Sequence, residues 1–361
     1  MPLDTAAALD ALKKVKDPEL HRDLVSLGMI KDLAVEGDVV RLKVELTTPA
    51  CPLRETIGRD VTAALQAIGA RKVELSWGAQ VRSAPGVAQS QLTPGVKNIV
   101  LVGAGKGGVG KSTVAINLAV GLARLGAKVG ILDADIYGPS IPILTGLDQR
   151  PTSRDGQKLD PLVAHGVKVM SVGFLIDPQQ ALIWRGPMVT GALIQLLRDV
   201  TWGDLDYLLL DLPPGTGDVP LTLAQNVRAA GVVLVSTPQD VALADVIRAK
   251  LMFDKVSIPV LGLVENMSSF VCPHCRQETP IFDKGGARAA AEKMGIRFLG
   301  EVPIDLAIRE GGDRGVPVVA GAPDSPQAQA FLTVAGNVAG AVSTQVLKAP
   351  RLPVIGAQQG A

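Results

Sequence analysis

The sequence predicts an α/β protein: a mainly parallel sheet covered by helices, with a smaller α+β domain ahead of it. Short apolar runs at Asn98 to Val102, Lys128 to Leu132, Tyr207 to Leu210, Gly231 to Val235 and Val260 to Val264 alternate with helix-like stretches, the pattern of βαβ units. The segment APGVAQSQLTPGV, Ala84 to Val96, has no periodicity and concentrates Pro, Gly, Ser and Gln, which marks a linker. The chain has 361 residues, more than the roughly 250 to 300 at which a single core stops growing. The expected division is a small domain over 1–83, a linker over 84–96, a large domain over 97–347 and a loose tail over 348–361.

In the small domain, Val40, Leu42, Val44 and Leu46 alternate with Arg41, Lys43 and Glu45, so a half-buried strand follows the turn at Gly37 and Asp38. Ile57, Val61, Leu65 and Ile68 recur at helical spacing, and Lys72 to Trp77 reads as a further strand.

Composition excludes several classes of function. Hydrophobic residues make up 47% and charged residues 20%, enough apolar material for a sheet covered on both faces. A net charge of +1 with only 3% aromatics lacks both the basic footprint and the stacking platforms of a nucleic-acid binder. The first residues, MPLDTAAALDALKKVKD, do not form a secretory signal. The apolar stretch Phe331 to Leu347 is interrupted by Asn337, Ser343, Thr344 and Gln345, so no bilayer-spanning run is expected and the protein is expected to be soluble and cytoplasmic. Cys51, Cys272 and Cys275 are the three cysteines. An odd number without an export signal argues for metal or redox chemistry over a disulfide framework.

The most specific motif is GKGGVGKS, comprising Gly105, Lys106, Gly107, Gly108, Val109, Gly110, Lys111 and Ser112, with Thr113 following. It lies between the strand Ile99 to Val102 and the helical run Val114 to Leu125, the context that a phosphate-binding P-loop requires. Glycines let backbone N–H groups converge on phosphate oxygens, Lys111 reaches the terminal phosphates of ATP, and Ser112 can ligate Mg2+. Tyr207 to Asp211 is an apolar strand ending in an acid, so Asp211 is placed to hold Mg2+ through water. Asp133 and Asp135 follow Ile131 and Leu132, at the carboxyl edge where open α/β sheets bind ligands. PPGTGD, Pro213 to Asp218, supplies the glycines of a nucleotide-sensing loop.

The second lysine, Lys106, marks a deviant P-loop and resembles the MinD/ParA/nitrogenase-iron-protein group. That resemblance implies that Lys106 crosses a homodimer interface to the partner's nucleotide, that Asp135 positions the attacking water, that Asp133 lies near magnesium, and that Asn266 reads adenine.

Cys272-Pro273-His274-Cys275 is one CxxC, compatible by itself with a redox pair, half a zinc site, or two loop thiols. A site of four thiolates needs two such chains. Together, GKGGVGKS, DADIYGPS (Asp133 to Ser140), DLPPGTGD (Asp211 to Asp218) and ENMSSFVCPHC are similar to the Mrp/ApbC family of iron-sulfur cluster carriers. DPEL (Asp17 to Leu20) and LTTPACP (Leu46 to Pro52) resemble the SufT-like small assembly domain. The resemblance implies an ATPase that binds a [4Fe-4S] cluster on Cys272 and Cys275 of two subunits and passes it to apo iron-sulfur proteins, with scaffold proteins as further partners. Cys51 is open between a transient thiolate and a buried small hydrophobe, and His274 is expected to be a solvated loop residue. The alternative is a MinD/ParA-like positioning or partitioning switch. That reading calls for a basic amphipathic C-terminal helix or a DNA-binding face, which LKAPRLPVIGAQQGA does not offer.

Overall fold

The protein was analysed as a computed structural model that describes residues 3–84, 92–153, 156–176, 186–272, 274–275 and 277–348. The small domain runs α1 (Thr5–Leu12), β1 (Ile30–Glu36), β2 (Val39–Leu46), α2 (Arg54–Gln66) and β3 (Lys72–Ala79). Its sheet has the order β1-β2-β3, antiparallel then parallel. The alternation in β2 does what its spacing requires: Val40, Leu42, Val44 and Leu46 are buried while Arg41 is exposed. Ile57, Val61 and Leu65 lie along one face of α2 and close the small core against it.

The large domain runs β4 (Val96–Ala104), α3 (Lys111–Arg124), β5 (Val129–Asp133), α4 (Ile141–Thr145), β6 (Leu162–Ala164), β7 (Val167–Ser171), α5 (Gly186–Asp199), β8 (Leu205–Asp211), α6 (Asp218–Asn226) and β9 (Gly231–Ser236). It continues with α7 (Asp240–Lys255), β10 (Val260–Val271), β11 (Glu278–Thr279), α8 (Gly286–Met294), β12 (Phe298–Ile304), α9 (Leu306–Asp313), α10 (Val318–Gly321) and α11 (Pro326–Lys348). The sheet order is β11-β10-β9-β4-β8-β5-β7-β6, with β12 also pairing β10. Every pairing is parallel except β10 with β11 and β6 with β7 at the margins. The central strands β5, β8 and β9 are buried at every position but one, which explains why their sequences are runs and not alternations: helices cover both faces.

Two expectations change. First, β10 continues seven residues past Val264, through Glu265, Asn266, Ser268 and Ser269. These polar residues sit in a strand interior because tertiary partners satisfy them, as when Ser268 Oγ donates to the Val302 carbonyl at 3.1 Å. Second, α11 is long and apolar enough, by length and composition, to cross a bilayer. Here it packs along α3 and β12, burying Phe331, Val334, Val338 and Val342. Its interrupting polar groups also find partners, Asn337 on the Leu299 carbonyl and Thr344 on the Gly340 carbonyl. Residues 85–91 of the expected linker and 349–361 of the expected tail lie outside the described residues.

The small domain rests on the edge of the sheet where the parallel strands begin. Tyr207, at the start of β8, donates its buried hydroxyl to Thr48 Oγ1 at 3.0 Å. Arg297 Nη1 pairs with Glu19 at 2.9 Å, and Gly336 and Gly340 of α11 leave room for Ala50, Pro52 and Glu19. Cys51 therefore belongs to the edge opposite the P-loop.

Candidate functional site

The P-loop occupies the turn from β4 into α3. Gly108 and Gly110 have φ of +79° and +80°, values open to glycine at no steric cost. A side chain at Gly105 would collide with the Asp245 carbonyl group of α7, and one at Gly110 with the Asn266 amide. The loop can therefore be closely walled only because these positions lack a Cβ. Beside it opens a cavity of about 410 Å³, lined by Lys106, Gly108, Lys111, Ser112, Thr113, Asp135, Ser140 and Pro214 among others.

Lys111 Nζ lies 2.5 Å from Asp211 Oδ1 and 3.2 Å from Ser112 Oγ. Both charged residues are buried, and Asp211 Oδ2 is a buried carboxylate oxygen with no hydrogen-bond partner. An orphaned anionic oxygen beside the first turn of α3 suits a hydrated divalent cation, so the donor set of Ser112 and Asp211 fits magnesium.

Strand register decides which carboxylates meet. Asp133 pairs with Asp211 across β5 and β8, and with Ser171 across β5 and β7. Asp133 accepts from the Asp135 N–H (3.1 Å), the Ile141 N–H (3.1 Å) and Ser171 Oγ (3.1 Å), so its carboxylate holds the loop from Asp135 to Ile141. Burial, and then the negative charge of Asp211, push its pKa upward. Asp135 is half-buried at the cavity wall, and burial likewise raises its pKa, with Lys111 opposing. Lys106 lines the same cavity, half-buried.

Asn266, two residues past the apolar run Val260 to Val264, lies within β10, where its Nδ2 donates to the Val109 carbonyl of the P-loop at 2.8 Å. Beyond it, Phe270 and Val271 pair with Thr279 and Glu278, and the Cys272 N–H donates to the Gln277 carbonyl at 3.0 Å. Cys272 and Cys275 thus lie at the tip of a hairpin at the carboxyl edge of the sheet, the edge that also carries the P-loop. Backbone N–H groups of Cys275 and then His274 approach the Cys272 sulfur and lower its pKa, which favours the thiolate that binds metals. Among the described residues, no group of three or more His, Cys, Asp and Glu side chains gathers to hold a metal. Cys272 and Cys275 stand as a pair.

Two positions escaped the sequence reading: Asp245 walls the P-loop from α7, and Glu265 anchors β10 to α8. Pro214, within the expected nucleotide-sensing segment, lines the cavity. The acid and amide in ENMSSF were the available signal for Glu265, since two polar residues inside an apolar strand need fixed partners.

A phosphate-cradling loop, paired lysine and acid at adjacent strand ends, and a parallel sheet covered by helices define a P-loop NTPase. The chain belongs to the NUBPL iron-transfer P-loop NTPase family, whose model matches residues 95–339, and residues 5–77 match the model for iron-sulfur cluster assembly proteins. It is 52% identical to an iron-sulfur cluster carrier protein of Deinococcus radiodurans, over 97% of this chain and 99% of the relative. Among solved structures it resembles a nucleotide-binding protein from Archaeoglobus fulgidus in complex with ADP. That likeness has a TM-score of 0.55 and 45% identity, over 61% of this chain and 87% of the other. The cell division ATPase MinD of Pyrococcus furiosus is more distant in sequence, at 25% identity with a TM-score of 0.52, over 67% of this chain and 98% of its own. The full-length likeness therefore runs to a cluster carrier, and the likeness to MinD covers about two thirds of the chain.

Proposed function

We propose that the protein binds ATP with magnesium in the P-loop cavity, hydrolyses it slowly, and carries a [4Fe-4S] cluster between two copies of itself for delivery to apo iron-sulfur proteins in the cytoplasm. The observation that carries this reading is the placement of a complete P-loop and a two-thiolate hairpin on one edge of one sheet, joined by β10. Full-length similarity to a cluster carrier supports it.

In this reading Lys111 leaves Asp211 to neutralise the terminal phosphates, and Ser112 and Asp211 are the residues that would hold magnesium. Magnesium, when bound, offsets charge on the phosphate oxygens. Asp135 orients the attacking water, Asp133 keeps the Asp135 loop in place, and Lys106 reaches the nucleotide of the second copy. The cluster is cargo. Cys272 and Cys275 supply two thiolates, and the same pair from a second copy completes four.

Anaerobic reconstitution followed by iron and sulfide analysis and gel filtration tests the assignment. One four-iron cluster per dimer is expected, and a cluster held by a monomer would sink the bridging arrangement.

A further inference from the structure

Strand β10 runs from the wall of the nucleotide cavity to the cysteine hairpin, and its geometry breaks midway. At the break, three consecutive residues have three different duties. Glu265, wholly buried, accepts from the N–H groups of Gly285 (3.0 Å) and Ala287 (2.8 Å). It thereby ties the start of α8, where the chain returns from the hairpin, to the sheet. Asn266 donates to the Val109 carbonyl of the P-loop. Met267 has φ of +58°, in the left-handed region that non-glycine residues adopt only under constraint.

Pairing with β12 changes accordingly. Glu265 and Asn266 oppose Glu301 and Val302 in regular parallel register, which is then lost between Asn266 and Phe270. Pairing resumes at Phe270, which opposes both Ile304 of β12 and Thr279 of the hairpin, two residues before Cys272.

We propose that Asn266 and Met267 form a hinge through which nucleotide occupancy of the P-loop sets the position, and hence the reactivity, of Cys272 and Cys275; this rests on the reading of the P-loop as a nucleotide site. Phosphate oxygens draw the N–H groups of a P-loop toward themselves. Val109 sits within that loop, so its carbonyl cannot shift without altering a buried hydrogen bond to Asn266. Upstream, residues up to Glu265 are clamped between β9 and β12. The displacement is therefore taken up in the bulge between Asn266 and Phe270, at Met267, where the register shifts and a strained φ can relax. A packed element with two arrangements, biased by one site and felt at the other, is the physical requirement for coupling. Because such coupling is reciprocal, occupancy of the thiolates alters nucleotide affinity by the same factor.

The experiment uses the full-length, cluster-free protein and iodoacetamide, with each cysteine followed by peptide mass spectrometry, with and without saturating Mg–ADP. Calorimetry on the same samples establishes nucleotide occupancy first. Cys272 should alkylate at a rate that changes several-fold on Mg–ADP binding, while Cys51, on the opposite edge, should keep its rate as an internal reference. Met267→Gly removes the strain that drives the hinge, so it should bind Mg–ADP yet lose most of the response at Cys272. Asn266→Ala, compared at its own measured saturation, should lose the response as well. An unchanged Cys272 rate in the wild type at full occupancy would overturn the hinge, as would a full response retained in both variants. Absence of Mg–ADP and Mg–ATP binding by calorimetry would overturn the nucleotide site itself, a failure visible before any thiol is measured.

Discussion

Lys111 and Asp211, a hundred positions apart in sequence, form a buried ion pair of 2.5 Å across the floor of the nucleotide cavity. The pair exists because β4 and β8 are parallel neighbours with Val102 opposite Asp211, which sets the start of α3 beside the end of β8. Each group is the other's charge partner.

Lys111→Ala should lose nearly all nucleotide affinity and also destabilise the nucleotide-free protein, because it strands a buried carboxylate. Removing one partner of a buried pair costs about 3 to 5 kcal/mol. Adding Asp211→Asn should restore part of that stability without restoring binding. Urea unfolding of the single and double variants checks this, and a double variant less stable than the single would show that Asp211 does not depend on Lys111.

Asp135→Ala should behave differently from Lys111→Ala. In the proposed mechanism Asp135 orients the attacking water, so ATP affinity should persist while turnover falls by roughly 10²-fold or more. Calorimetry and single-turnover hydrolysis separate the two quantities. Equal loss of affinity in both variants would assign Asp135 to magnesium or to folding.

Replacing Cys272 or Cys275 by Ala removes two of four thiolates at once in a bridged dimer, so iron and sulfide content should collapse for either variant. Nucleotide binding should survive, since the phosphate contacts come from a different loop. Cys51→Ala should load normally. Full loading of Cys272→Ala would return the CxxC to a vacant or zinc-type role.

A chain beginning at Ala84 should fold and bind nucleotide, because every nucleotide motif lies beyond that point. It should unfold at lower urea than the full chain, since the Tyr207 hydroxyl loses Thr48 and Gly336 and Gly340 lose their covering. Tyr207→Phe isolates one part of that loss, about 1 kcal/mol for a hydrogen bond. Ala50, Val81 and Ala84 pack with the large core, so an insoluble fragment would mean that the two domains share it.

Cys51 offers a test of pH dependence. Burial, chiefly, pushes its pKa to about 11 from an ordinary value of 9.0, with a smaller upward push from Asp17 and Glu19. At pH 8 the thiolate fraction, and with it the alkylation rate of native protein, should be about a hundredfold below that of unfolded protein. A raised acid pKa means that the folded state holds its proton longer. The corresponding stability is therefore intact below pH 9 and is lost as pH rises from 9 toward 11. Equal alkylation of Cys51 in native and unfolded protein at pH 8 would show that the small domain does not cover it.

The sequence by itself determined the parts whose signal is local. The P-loop, the half-buried β2, the apolar runs that became β5, β8 and β9, and the acids at strand ends were legible because period and motif lie within a few residues. The pairing of two thiolates was legible as spacing. Tertiary structure alone decided which acids meet, since register places Asp133 beside both Asp211 and Ser171. It also decided that Glu265, Asn266 and Ser268 continue a strand, because their polar groups find partners on α8, the P-loop and β12 that no local rule reveals. α11 was hidden for the same reason: hydropathy interrupted by Asn337 and Thr344 reads as a break until Leu299 and Gly340 supply the missing hydrogen bonds. Local propensity sets what a segment can be, and long-range partners, which desolvate and satisfy its polar groups together, set what it becomes.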